Sequence, residues 1–134
     1  MNIHISDLHF TYPSGVQALR GISLSIEAGE QVAIVGQNGS GKTTLVKHFN
    51  GLLQPTSGNV KIGDSNTRQH SVAKLAHRVG YVFQNPDEQL FSKNVGTEVA
   101  FGPRNLGHSA DEIRALVEDA LQMTELTDKT ETNP

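Results

Sequence analysis

Apolar and polar positions alternate at the start of the chain. Ile3 and Ile5 share one parity, and Leu8, Phe10 and Tyr12 share the other. Residues 3–12 are therefore predicted to form a strand, with a bulge near Ser6 and Asp7 that changes its phase. Pro13-Ser14-Gly15 is a turn signal. Ile22, Leu24 and Ile26 alternate with polar neighbours and predict a half-buried strand, turned back at residues 27–30. Residues 31–35 differ, because the continuous apolar run Val32-Ala33-Ile34-Val35 suits a strand covered on both faces. A glycine-rich loop follows at 36–41, then a predicted helix at 42–49, stopped by Asn50-Gly51. After a turn at 54–58, Val60 and Ile62 mark a short strand, and 63–67 a polar loop. Residues 71–77 form a weak helix and 79–83 another apolar strand.

The remainder reads as helical. A loop at 84–92 leads to a short helix at 95–101, closed by Gly102-Pro103. Residues 109–123 carry the clearest helix signal. Ser109 and Glu112 form a capping box, and Ile113, Leu116, Val117, Ala120 and Leu121 make one stripe. The polar end, 127–134, is expected to fray. No internal repeat or low-complexity tract occurs.

Composition narrows the class. With 134 residues the chain has a one-domain length, and its net charge of −3 argues against gripping a nucleic-acid backbone. The absence of cysteine excludes a disulfide scaffold and a thiolate zinc site. No stretch reaches the roughly 20 apolar residues of a membrane span, and the first residues lack a signal-peptide pattern. The expectation is a soluble protein of a reducing compartment, able to dock on a membrane protein. His4, His9, His48, His70, His77 and His108 show no ligand-like spacing and are expected to be non-catalytic.

The candidate chemistry lies in Gly36-Gln37-Asn38-Gly39-Ser40-Gly41-Lys42-Thr43, which fits the phosphate-binding pattern G-x-x-x-x-G-K-[ST]. Glycines let the backbone curl so that successive N–H groups face phosphate oxygens, and the start of the next helix adds positive potential. Lys42 would reach the β- and γ-phosphates, and Thr43 would give its hydroxyl to Mg²⁺. Against this stands a plain Gly/Ser turn that contains a lysine. The preceding apolar strand and the following helix favour the phosphate loop. Tyr12, 24 residues before Gly36, either stacks on adenine or covers the apolar face of its strand. Gln84 either touches Mg²⁺ or a water near the γ-phosphate, or is an ordinary loop residue.

Taken in order, Tyr12, the loop from Gly36 to Thr44, and Tyr81-Val82-Phe83-Gln84 resemble the nucleotide-binding subunits of ABC transporters. The run Gln84-Asn85-Pro86-Asp87-Glu88-Gln89-Leu90-Phe91 continues the pattern, followed by Val99-Ala100-Phe101-Gly102-Pro103 and Asn105-Leu106-Gly107. It is similar to the ATPases of energy-coupling-factor importers, which take up vitamins and the metal ions cobalt and nickel. The resemblance covers essentially the whole chain. It implies an α/β fold of the P-loop NTPase (RecA-like) type, with an N-terminal antiparallel β-subdomain and the beginning of an α-helical subdomain. Residues 1–134 would be one partial nucleotide-binding domain.

The resemblance also implies ATP and Mg²⁺ as ligands. Tyr12 would stack on adenine, with Val16 as a second apolar contact. Gly36, Gln37, Asn38, Gly39, Ser40, Gly41, Lys42, Thr43 and Thr44 would hold the triphosphate, and Thr43 and Gln84 the metal, Gln84 being the catalytic candidate. Residues 84–91 would receive a transmembrane energy-coupling subunit at the cytoplasmic face of the membrane, and a second ATP-binding subunit would complete the pair. Read without the resemblance, Leu90 and Phe91 serve equally as core, and Asp87-Glu88 as a solvated loop face.

Three family features have no counterpart in these residues: an apolar strand ending in Asp-Glu, an L-S-G-G-Q signature, and a late switch histidine. Hence the expectation is a truncated N-terminal half that binds ATP without efficient hydrolysis. An apolar strand short of neighbours further predicts marginal stability, improved by MgATP. Competing readings are a non-catalytic ATP-binding or membrane-subunit-docking module, a remnant with no role, and, less well supported, a P-loop kinase.

Overall fold

The computed structural model describes all 134 residues, in two compact units, Met1–Tyr81 and Val82–Pro134.

The first unit is built on a four-stranded antiparallel sheet. Strands β1 (Ile3–Thr11), β2 (Gln17–Ile26), β3 (Ser57–Ile62) and β4 (Ser65–Asn66) lie in the order β2-β1-β3-β4. Central β1 pairs Ile3 with Ile26 and Ile62, and Ile5 with Leu24 and Val60. The predicted bulge is present: registers shift between Ile5 and Leu8, and Asp7 adopts φ 47° while its N–H donates to Ser23 Oγ. The bulge returns Leu8 and Phe10 to the face that Ile5 occupies, and all three are buried. Opposite it sits Gly58, φ 80°, where any Cβ would run into the Asp7 carbonyl oxygen.

Two short helices belong to this unit, α1 (Lys42–Val46) and α2 (Val72–Ala76), the latter capped by Ser71 accepting from the Lys74 N–H. Leu45 and Phe49 join Ile5, Leu8, Phe10, Leu19, Val60 and Ile62 in one core. The helix predicted for 42–49 is regular only to Val46. It then tightens, His48 and Phe49 donating to the carbonyls of Leu45 and Val46, and turns at Gly51. The loop expected at 63–67 holds the small strand β4.

Residues 31–35 and 79–83, both predicted as strands, join no sheet. Val32 is exposed and Val35 is 88% exposed, as is Val82 at 84%. Apolar character alone does not make a strand, because strand hydrogen bonds need a neighbour. The sheet, in the order β2-β1-β3-β4, is made wholly of other residues.

The second unit pairs α3 (Val95–Asn105) with α4 (Ala110–Met123). Helix α3 runs past Gly102-Pro103, where the sequence predicted its end. Pro103 removes one N–H donor, yet Leu106 still donates to the Gly102 carbonyl. Helix α4 starts as predicted, with Ser109 Oγ accepting from the Glu112 N–H and Glu112 Oε2 accepting from the Ser109 N–H. The end expected to fray folds back instead. A single turn forms at Thr127–Lys129, and the N–H groups of Val95 and Gly96 donate to the carbonyls of Thr132 and Thr130. No helix is long and apolar enough to cross a membrane.

Candidate phosphate-binding site

Loop 36–41 leaves residues 31–35 and enters α1. One tight approach, at Gly41, demands a glycine. Gly41 has φ 93°, and a Cβ there would lie 2.9 Å from the Ala18 carbonyl oxygen and 3.1 Å from Leu19 Cδ2. Gly41 is thus pressed onto β2 with no room for a side chain. At Gly36 a Cβ would come within 2.8 Å of Ser40 Oγ. Between them the Ser40 N–H donates to the Gln37 carbonyl, closing a turn.

Lys42 folds back across this turn. Its Nζ donates to the Gly36 and Gln37 carbonyls, both at 2.8 Å. A hollow of about 250 Å³ lies beside it, lined by Ile34, Val35, Gly36, Ser40, Gly41 and Lys42 among others. The first hydrogen bond of α1 runs from the Leu45 N–H to the Gly41 carbonyl. The N–H groups of Lys42, Thr43 and Thr44 therefore have no acceptor within the helix. Such a curled backbone with an ammonium at its centre can hold a polyphosphate.

Of the other candidate residues, Thr43 is exposed beside Lys42, whereas Thr44 is buried. Tyr12 is half-buried; its ring packs edge-on against Phe10, and its hydroxyl lies 2.8 Å from Thr44 Oγ1. The structure thus brings Tyr12 to the helix that opens in the loop. Val16 is 59% exposed in the hairpin turn, with its carbonyl accepting from the Tyr12 N–H. Gln84 belongs to the second unit, exposed at the start of its loop.

Sequence reasoning missed His48. It is fully buried, and its Nδ1–H donates to the Thr44 carbonyl at 2.7 Å. Burial lowers its pKa below the usual histidine value, opposed by that backbone bond. Its position one turn after Thr44 is the signal that could have found it. Glu98 also escaped notice. Its Oε2 accepts from the N–H groups of Phe91 and Ser92, and the Ser92 side chain foremost, with these backbone bonds, holds its carboxyl below the usual range. Leu90 and Phe91 are not core: Phe91 is 66% exposed and packs edge-on against Phe101. Asp87 and Glu88 are solvated.

The ABC transporter family pattern matches residues 19–134, from β2 through the phosphate loop to the last residue. The chain belongs to the ABC transporter family. It is 51% identical over 122 residues to a putative ABC transporter ATP-binding protein of Methanothermobacter thermautotrophicus, covering 90% of this chain and 44% of that one. It is 43% identical over 134 residues to the energy-coupling factor transporter ATP-binding protein EcfA of Methanosphaera stadtmanae, covering 98% and 48%. Among solved structures it resembles cbiO1 from Clostridium perfringens, part of the ABC transporter complex cbiONQ. There the TM-score is 0.81 at 39% identity, covering 96% of this chain and 52% of that one. The chain spans about half the length of the curated relatives it matches. Its fold is the P-loop α/β fold of ABC ATP-binding proteins, with an N-terminal antiparallel sheet and a helical subdomain.

Proposed function

We propose that this ABC-family chain is a partial nucleotide-binding domain, residues 1–134, of an energy-coupling-factor importer, and that it binds ATP with Mg²⁺. The observation that carries the reading is the phosphate loop itself: Gly41 pressed onto β2, and the Lys42 ammonium already set at the centre of the turn. On binding, Lys42 exchanges two neutral carbonyl acceptors for phosphate oxygens, a shorter and stronger charge-assisted bond. The N–H groups of Gly39, Gly41, Lys42, Thr43 and Thr44 line the polyphosphate, with Gly36, Gln37, Asn38 and Ser40 shaping the turn.

Tyr12 presents its ring to adenine, and Val16 offers a second apolar contact. No group of three or more His, Cys, Asp or Glu side chains is placed to hold a metal ion. Thr43 would give its hydroxyl oxygen to a magnesium ion accompanying the nucleotide, and Gln84 is the second candidate ligand. A magnesium ion held there would offset the negative charge of the phosphates.

These residues by themselves bind rather than hydrolyse. Within the first unit Asp7 pairs with His9, Glu30 caps the Glu27 N–H, and Asp64 pairs with Arg78. The reading of binding without turnover rests instead on the lack, within these residues, of an apolar strand ending in Asp-Glu and of an L-S-G-G-Q signature. That cbiO1 is part of an ABC transporter complex supports a multi-subunit assembly, to which the reading adds a transmembrane partner and a second ATP-binding subunit. The exposed Leu90 and Phe91, the latter's N–H donating to Glu98, support docking through residues 84–91 at the cytoplasmic membrane face.

Titration calorimetry with MgATP tests the reading. Binding is expected for the wild-type chain and at least tenfold weaker binding for Lys42→Ala, about the effect of losing one charged phosphate contact. Absence of heat with folded wild-type protein refutes it. Steady phosphate release abolished by Lys42→Ala refutes binding without turnover.

A further inference from the structure

Tyr12 is held at two points by residues distant in sequence. Its hydroxyl bonds Thr44 Oγ1 at 2.8 Å. Its ring meets Phe10 edge-on, with centroids 4.8 Å apart. Phe10 meets His48 in the same way, also at 4.8 Å, and His48 Nδ1 donates to the Thr44 carbonyl. The contacts close a circuit from Tyr12 through Phe10, His48 and Thr44 back to Tyr12. Three members, Phe10, Thr44 and His48, are buried where α1 lies on the sheet. Only Tyr12 is half-open to solvent.

We infer that Thr44 is a positioning residue for base recognition: its hydroxyl fixes the Tyr12 ring on the helix that begins in the phosphate loop, before nucleotide arrives. The inference rests on the proposed stacking of Tyr12 on adenine and names what aims that ring. Tyr12 ends β1 beside the exposed turn Pro13-Ser14-Gly15. A side chain there would otherwise have to be ordered by the ligand, at a cost to affinity that a pre-set ring avoids. Stacking alone would be served as well by phenylalanine, and the phenol oxygen is the part that Thr44 uses. Base contact and phosphate contact are thereby mounted on one element.

The test compares MgATP with magnesium tripolyphosphate, which has no base, by calorimetry. Tyr12→Phe and Thr44→Val are each expected to weaken MgATP about three- to tenfold, the size of one neutral hydrogen bond, and Tyr12→Phe is expected to weaken tripolyphosphate by less than about twofold. Thr44→Ser, which keeps the hydroxyl, restores MgATP affinity. The double variant is no weaker than either single one, because both remove the same bond. Equal losses for the two ligands in Tyr12→Phe overturn the inference, since the bond then acts on the phosphates or the fold. Undiminished MgATP binding in Tyr12→Phe, with Tyr12→Ala weakened, overturns it and leaves stacking intact. Undiminished binding in Tyr12→Ala overturns both.

A second readout needs no ligand. The chain has two tyrosines and no tryptophan, so the tyrosine absorption band reports the phenol directly. Thr44→Val is expected to shift that band, and a folded variant with the wild-type band refutes the bond.

Discussion

Within Met1–Tyr81 the sheet completely buries Leu8, Val60 and Ile62, and very nearly Ile5, whereas Val82–Pro134 buries only Ala100 and Leu121 among its apolar side chains. Both units carry regular apolar patterns, so the difference lies in what each pattern faces. In the first, β1 is flanked by β2 and β3, and α1 closes one face with Leu45 and Phe49. In the second, the stripe on α4 has α3 and a single turn at Thr127–Lys129 to meet. A hollow of about 450 Å³ remains beside Ile113, Val117 and Leu121. A phosphate loop needs fixed geometry and sits on the well-filled unit, whereas the exposed loop at 84–91 sits on the thin one.

The largest effect that can break this comparison is a core truncation. Leu8→Ala is expected to cost about 2–5 kcal/mol, and Leu116→Ala, half-exposed on α4, less than about 1 kcal/mol, measured by urea denaturation. Equal costs would erase the distinction. Gly41→Ala comes next. Its φ of 93° and its approach to the Ala18 carbonyl predict a loss of about 1–3 kcal/mol, with MgATP affinity falling alongside in calorimetry. A smaller effect sharpens the other side. Ser109→Ala removes the capping box and is expected to cost about 1 kcal/mol, seen as faster hydrogen exchange in the first turn of α4 with MgATP binding unchanged.

Acid separates the units more gently. His48 has a folded pKa below its ordinary 6.5, so the unfolded chain binds the proton first. The first unit is therefore expected to lose stability as pH falls below about 6.5. Glu98 and Glu112 also have lowered pKa values, but from an ordinary value of 4.5. Their contribution is full above that value and is lost only as pH falls below it, through the folded pKa values. Melting curves from pH 7 to 3, followed by hydrogen exchange in each unit, check the order. Simultaneous loss in both units contradicts it.

Legibility followed locality. The bulge at Asp7 shows in the sequence because the parity of apolar residues flips there, and the capping box shows because Ser109 and Glu112 are three residues apart. The phosphate loop is written in eight consecutive residues. The unpaired state of 31–35 was hidden, since it depends on which strands are present elsewhere rather than on Val32-Ala33-Ile34-Val35. Pro103 gave the wrong stop for α3 because a helix tolerates one missing donor when the surrounding turns hold. The Tyr12 to Thr44 bond joins residues 32 apart and lies beyond any local pattern.

Lys42 rests with its ammonium against two carbonyl oxygens of its own loop. Those oxygens carry partial negative charge, and left bare they would repel an approaching polyanion. In the proposed binding mode the lysine would mask them until a triphosphate arrives, so one side chain would serve first as a stand-in guest and afterwards as host.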